Sequence, residues 1–130
     1  LEGDHAFPDH RKEPSRSFIP GEAELAPWTG KGVKMDSRVQ YAFNLLGKRW
    51  VLQIITVLLQ EPHSFNDLVQ HVRGVSDRML SERLKELECA GIVERLVRVE
   101  SPIRVTYQLL EQGHALGSVI KAIWAWSQLP

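Results

Sequence analysis

The stretch from Ser76 to Gly91, SDRMLSERLKELECAG, runs directly into IVERLVRVESPIRVTYQLL, and together they restrict the fold more than any other part of the chain. In the first segment Met79, Leu80, Leu84 and Leu87 recur at the spacing of one helical face. Ser76 is an N-cap in front of that helix and Gly91 a stop behind it. The period then changes. Val93, Arg95, Val97 and Val99 alternate with Ile92, Glu94, Leu96 and Arg98, which suits a strand on a mixed face. Ser101-Pro102 supplies a turn, and Ile103 to Leu110 returns as a second strand. A helix with a polar outer face therefore leads into a hairpin whose tip is flanked by Arg98 and Arg104.

Upstream, three more helices are expected. Val39, Ala42, Phe43, Leu45 and Leu46 mark the first, capped by Asp36 or Ser37 and ended by Gly47. Trp50, Val51, Ile54, Ile55, Leu58 and Leu59 mark the second, which closes before Pro62. Ser64 to Val72 forms the third, with Ser64 as N-cap and Asp67 three residues on, approximating a capping box. Its inner face is Phe65, Leu68, Val69 and Val72, and Arg73-Gly74-Val75 makes the turn into the Ser76 helix. Glu111 to Leu129 reads as one closing helix bearing Leu116, Val119, Ile120, Ile123, Trp124 and Trp126. The order is four helices, two strands and a helix, without internal repeats. The expected class is α+β, mostly α: a winged helix-turn-helix with a two-stranded wing and terminal dimerisation helices. It occupies residues 36–130. Residues 1–35, with four of the seven prolines and four of the nine glycines in their first 34 positions, are expected to be a flexible tail. That tail is either native or an addition ahead of a start at Met35.

The chain of 130 residues is one domain long, with 43% hydrophobic and 25% charged residues, ordinary for a soluble globular protein. No apolar run approaches the roughly 20 residues needed to span a bilayer, and no basic segment precedes an apolar core at the N-terminus. The single cysteine, Cys89, can form no internal disulfide. These features point to a cytoplasmic protein with no membrane partner. Sixteen basic residues balance sixteen acidic ones, and residues 36–130 hold 11 against 10. Any nucleic-acid affinity must therefore come from where the charges sit.

Enzymatic readings find no support: there is no Gly-rich phosphate loop, no His-rich ligand spacing and no recognisable nucleophile setting. No cofactor or metal is expected. His5 and His10 beside Asp4 and Asp9 are read as chance neighbours, and His63, His71 and His114 as surface histidines. Cys89, near Glu86 and Glu88, reads as a structural thiol, because carboxylates disfavour the thiolate. A DNA reader needs polar groups on the early turns of its recognition helix. Ser76, Asp77, Arg78, Met79 and Ser81 are the candidates there. Arg83 and Lys85 would flank the backbone, and Ser64 would sit at the start of the preceding helix. Lys48 and Arg49 are candidate phosphate clamps. Arg98 and Arg104 would anchor the wing on a minor groove or its phosphates. The plainer account is a surface helix held by ion pairs such as Arg78–Glu82 and a hairpin guarded by basic residues. Trp50, Trp124 and Trp126 read as core and interface. The closing helix is apolar over more than one face, which a partner subunit would cover. Val39, Tyr41, Phe43, Leu116, Val119, Ile120, Ile123, Trp124 and Trp126 are its expected contacts.

From about residue 37 to 128 the sequence resembles the HxlR-type winged helix-turn-helix transcriptional regulators, relatives of the MarR group. The resemblance rests on GKRW, SFNDL, GVSDRMLSERLKELE, GIVER, PIRVTY and EQGHAL in that order. It implies a homodimer joined by its terminal helices that binds operator DNA as a repressor or activator. Members of that group often carry a cysteine before the first helix; Ser37 stands there, so thiol sensing by that route is not expected. The reading is a sequence-specific DNA-binding regulator, a homodimer on a roughly palindromic double-stranded operator, with the effector open. The alternative is a winged-helix protein-interaction module without DNA binding.

Overall fold

The computed structural model describes residues 35–130. Residues 1–34 of the expected tail, with the His5–His10 grouping, lie outside the described residues. Helix α1 (Ser37–Leu46) begins where the Asp36 carboxylate accepts the Arg38 backbone N–H at 2.7 Å. The Arg38 side chain also bonds Asp36, and both contacts hold that carboxyl below its ordinary range. Helix α2 (Val51–Leu58) starts one residue later than the apolar pattern suggests, because Trp50 has a left-handed backbone at φ 79°. That conformation costs a side-chain-bearing residue about 1–2 kcal/mol. The Trp50 indole packs closely against Gly74.

Val51, Ile54, Ile55 and Leu58 of α2 are all buried. A helix this apolar belongs in the middle of a fold, and α1, the next helix, the sheet and the last helix all pack against it. Pro62 ends the run, and His63–Ser64 form a short strand, β1, that alternation cannot reveal in two residues. Helix α3 (Phe65–His71) follows, its Ser64 Oγ accepting the Asp67 N–H at 3.1 Å as the capping pattern predicts. A turn through Gly74 (φ 95°) leads to α4 (Asp77–Cys89). There Ser76 Oγ accepts the Met79 N–H at 3.1 Å, and Leu80, Leu84 and Leu87 are fully buried.

Strands β2 (Val93–Arg98) and β3 (Arg104–Leu109) form the expected hairpin, in register from Val93 opposite Leu109 to Arg98 opposite Arg104. β1 adds to the far side of β3, with His63 opposite Tyr107 and Ser64 opposite Thr106, so the sheet runs β1-β3-β2. The wing thus has a third strand, supplied by the lead into α3.

The chain end departs from the expected single helix. Helix α5 (Glu111–His114) stops at Ala115, and α6 (Gly117–Ser127) restarts after Leu116. Packing causes the break. A Cβ on Gly113 would lie 2.6 Å from the Ile92 carbonyl oxygen, so α5 lies hard against the start of β2. The chain must then turn to bring Ile120 and Leu116 onto the central core. Among the described residues no helix is long and apolar enough to cross a membrane.

Candidate nucleic-acid interface

Because Leu80, Leu84 and Leu87 hold α4 down, the opposite stripe Arg78, Glu82 and Lys85 faces solvent, with Asp77 and Ser76 exposed at its start. The Arg78 side chain is 88% exposed, and its Nε lies 3.6 Å from Glu82 Oε2. Such an i,i+4 pair contributes only about 0.2–0.5 kcal/mol, so a phosphate or a guanine edge can displace Glu82. Ser76 accepts the cap hydrogen bond through its oxygen and keeps its own hydrogen to donate. Ser81 is half-buried beside this stripe.

Several expected contacts are employed elsewhere. The Arg83 side chain is only 15% exposed: Nε donates to the Arg49 carbonyl at 2.9 Å, and a terminal nitrogen lies 3.2 Å from Glu86 Oε1. Glu86 Oε2 in turn holds Lys48 Nζ at 3.3 Å. Arg83 is therefore an internal brace, and Lys48 is tied to the same carboxylate. Met79 is half-buried against the core, so its inner-face position prevails over a groove contact. Arg49 is exposed, its guanidinium carbon 4.6 Å from the Trp50 ring centroid. A Cβ on Gly74 would lie 3.2 Å from Trp50 Cη2, so the same indole abuts the turn before α4. The loop between α1 and α2 thus holds α4 through Lys48 and the Arg49 carbonyl, and the turn ahead of it through Trp50. No local spacing in the sequence points to this grip, since Arg83 and Arg49 lie 34 positions apart.

On the wing, Arg98 and Arg104 face each other across the last rung of the ladder, both exposed and without a carboxylate partner among the described residues. Pairing of β1 with β3 brings Ser64 to the same side: Ser64, Asp67, Arg104 and Thr106 line one cleft of about 460 Å³. His63, expected on the surface, is mostly covered, its Nδ1 3.8 Å from Asp67 Oδ2 and its ring 5.1 Å from that of His71. Cys89, expected as a structural thiol, is exposed.

Of the expected dimer contacts, Ile120 is buried in the protomer's own core and Leu116 is half-buried against it. Ile120 therefore answers to the protomer's own core. Val39, Tyr41 and Phe43 on α1 and Val119, Ile123, Trp124 and Trp126 on α6 are exposed.

Two helices joined by a tight turn, the second backed by an arginine-flanked antiparallel hairpin, define a winged helix-turn-helix domain. The HxlR-like helix-turn-helix family matches residues 45–129, and the chain belongs to that family. It is similar to the HTH-type transcriptional regulator YodB of Bacillus subtilis, 45% identical over 96 residues, which are 74% of this chain and 86% of the relative. The solved reduced form of YodB superposes with a TM-score of 0.68 at 45% identity, over 72% of this chain and 92% of that one. A MarR-family transcriptional regulator from Enterococcus faecalis V583 superposes with a TM-score of 0.66 at 26% identity, over 77% and 91%. The chain is thus a helix-turn-helix transcriptional regulator by family, which implies DNA binding.

Proposed function

We propose that this regulator binds DNA sequence-specifically as a homodimer, on a roughly palindromic operator in the cytoplasm. The observation that carries the reading is the pair Arg98 and Arg104, two uncompensated guanidinium groups on a wing that follows an exposed polar helix stripe. In this reading α4 enters the major groove. Arg78 reads a guanine edge or a phosphate, and Ser76 and Ser81 donate to phosphates. The wing arginines straddle the adjacent minor groove, while Arg49 and Lys85 meet the flanking backbone. Lys48 joins them only by leaving Glu86, and Arg83 supports α4 from behind. A chain with no net charge can bind this way because affinity follows local phosphate contacts. The exposed apolar residues of α1 and α6 support the second copy, since a lone domain leaves them in water.

Selection from a random duplex library, followed by footprinting of the recovered sequence, tests the reading. Two related half-sites about one helical turn apart, roughly 34–36 Å, are expected of a dimer. Failure to enrich any sequence contradicts the DNA reading and favours a protein-interaction module. A single asymmetric footprint contradicts the dimer.

A further inference from the structure

The tip of the wing is apolar where a hairpin tip is ordinarily polar. Turns favour Gly, Pro, Asn, Asp and Ser, and Ser101-Pro102 conforms, yet the flanking Val99 and Ile103 are 81% and 67% exposed. These two end a stripe that begins in the core. Val93 lies opposite Leu109, both buried, and Val97 opposite Val105; Val99 and Ile103 follow in the same alternation beyond the last rung. Only Arg95, opposite Tyr107, interrupts it. Arg98 and Arg104 alternate with the stripe and so occupy the other face of the hairpin. Residues 99–103 hold no basic side chain and a single carboxylate, Glu100. Attraction to phosphate therefore stops at the two arginines, and contacts beyond them fall mainly to carbon.

We propose that the wing tip enters the minor groove as an apolar wedge, Val99 and Ile103 parting one base step and kinking the operator. This deepens the regulator reading and rests on it. The arginines determine the occupant: two guanidinium groups behind a carbon-rich tip match a groove edged by phosphate and walled by sugar. The dimensions determine the consequence. Strands about 4.8 Å apart with side chains on both faces exceed a minor groove about 6 Å wide. Entry requires the groove to open, and unstacking one step opens it. Pyrimidine–purine steps such as TA unstack most readily. Val99 and Ile103 thus select such a step without a hydrogen bond to any base.

The full chain is bound to the duplex recovered by selection, which carries a donor–acceptor dye pair at its ends and 2-aminopurine in place of the adenine of the step facing the wing. A kink of about 20–90° is expected, with 2-aminopurine fluorescence raised by unstacking. A Val99→Thr, Ile103→Thr double variant keeps the branching at Cβ but puts a hydroxyl on the wedge. It is expected to lose more than about half of the bend and of the fluorescence rise. Its salt slope should not change, since no phosphate contact is removed. Both positions are exposed, so its thermal melt should match that of the native chain. Replacing the step by a stiff A-tract should weaken the native chain about tenfold and the variant by about twofold or less. Five results overturn the wedge: a duplex bound straight, a bend without unstacking, a bend that the double variant retains, equal affinity of the native chain for the two duplexes, or a double variant that alters the sedimentation coefficient of the free chain, which assigns the tip to contact between copies. In each of these the duplex is still bound or the tip is reassigned, and the regulator reading stands. A chain that enriches no duplex overturns both.

Discussion

Ser76 satisfies an orphan N–H at the start of α4, and its loss to alanine is expected to cost about 1 kcal/mol of stability, read as a lower midpoint in urea unfolding. Arg83, on the flank of the same helix, serves differently: its guanidinium is turned to Glu86 and the Arg49 carbonyl. Arg83→Ala is expected to lower stability by about 1–3 kcal/mol, because it removes hydrogen bonds made by a charged group. It should leave the salt dependence of DNA binding unchanged, which loss of a phosphate-contacting arginine would not. Equilibrium unfolding and salt titration of the same variant separate the two roles. The caps at Ser64 and Ser76 were legible in the sequence because a cap and its partner lie three residues apart. The brace was not: Arg83 and Arg49 are 34 positions apart, and no local pattern links them.

At the scale of elements, long periodic segments could be read and short or bent ones could not. The face of α4 defined by Leu80, Leu84 and Leu87 follows from spacing alone, and Leu84→Ala is expected to cost about 2–5 kcal/mol in equilibrium unfolding. The β2–β3 hairpin was legible for the same reason. β1 has two residues, too few to show alternation, and it exists because the backbone ahead of α3 meets the free edge of β3. The break between α5 and α6 is likewise a packing effect. A continuous apolar pattern spans it, but Gly113 sits against the Ile92 carbonyl. Gly113→Ala should therefore destabilise the fold far more than the helix-favouring nature of alanine suggests, visible as a lowered melting temperature. A neutral or stabilising outcome would contradict that close approach.

For the whole molecule, the apolar surface left on α1 and α6 sets the expected assembly. Trp124 and Trp126 are exposed in the protomer, and Trp126→Glu is expected to shift the chain from dimer to monomer in sedimentation velocity while its far-ultraviolet circular dichroism is retained. An unchanged sedimentation coefficient would count against a dimer built on α6. The sequence indicated this surface but assigned Ile120 to it, because periodicity cannot tell a face that meets the protomer's own core from one that meets a partner. The central claim, that the wing arginines bind phosphate beside the α4 stripe, is tested most directly by salt titration of duplex binding, comparing the native chain with an Arg98→Ala, Arg104→Ala double variant. The native chain should show affinity that falls steeply with salt, and the variant a log–log slope shallower by about two, one for each lost contact. Identical slopes, or no salt dependence in the native chain, would contradict it.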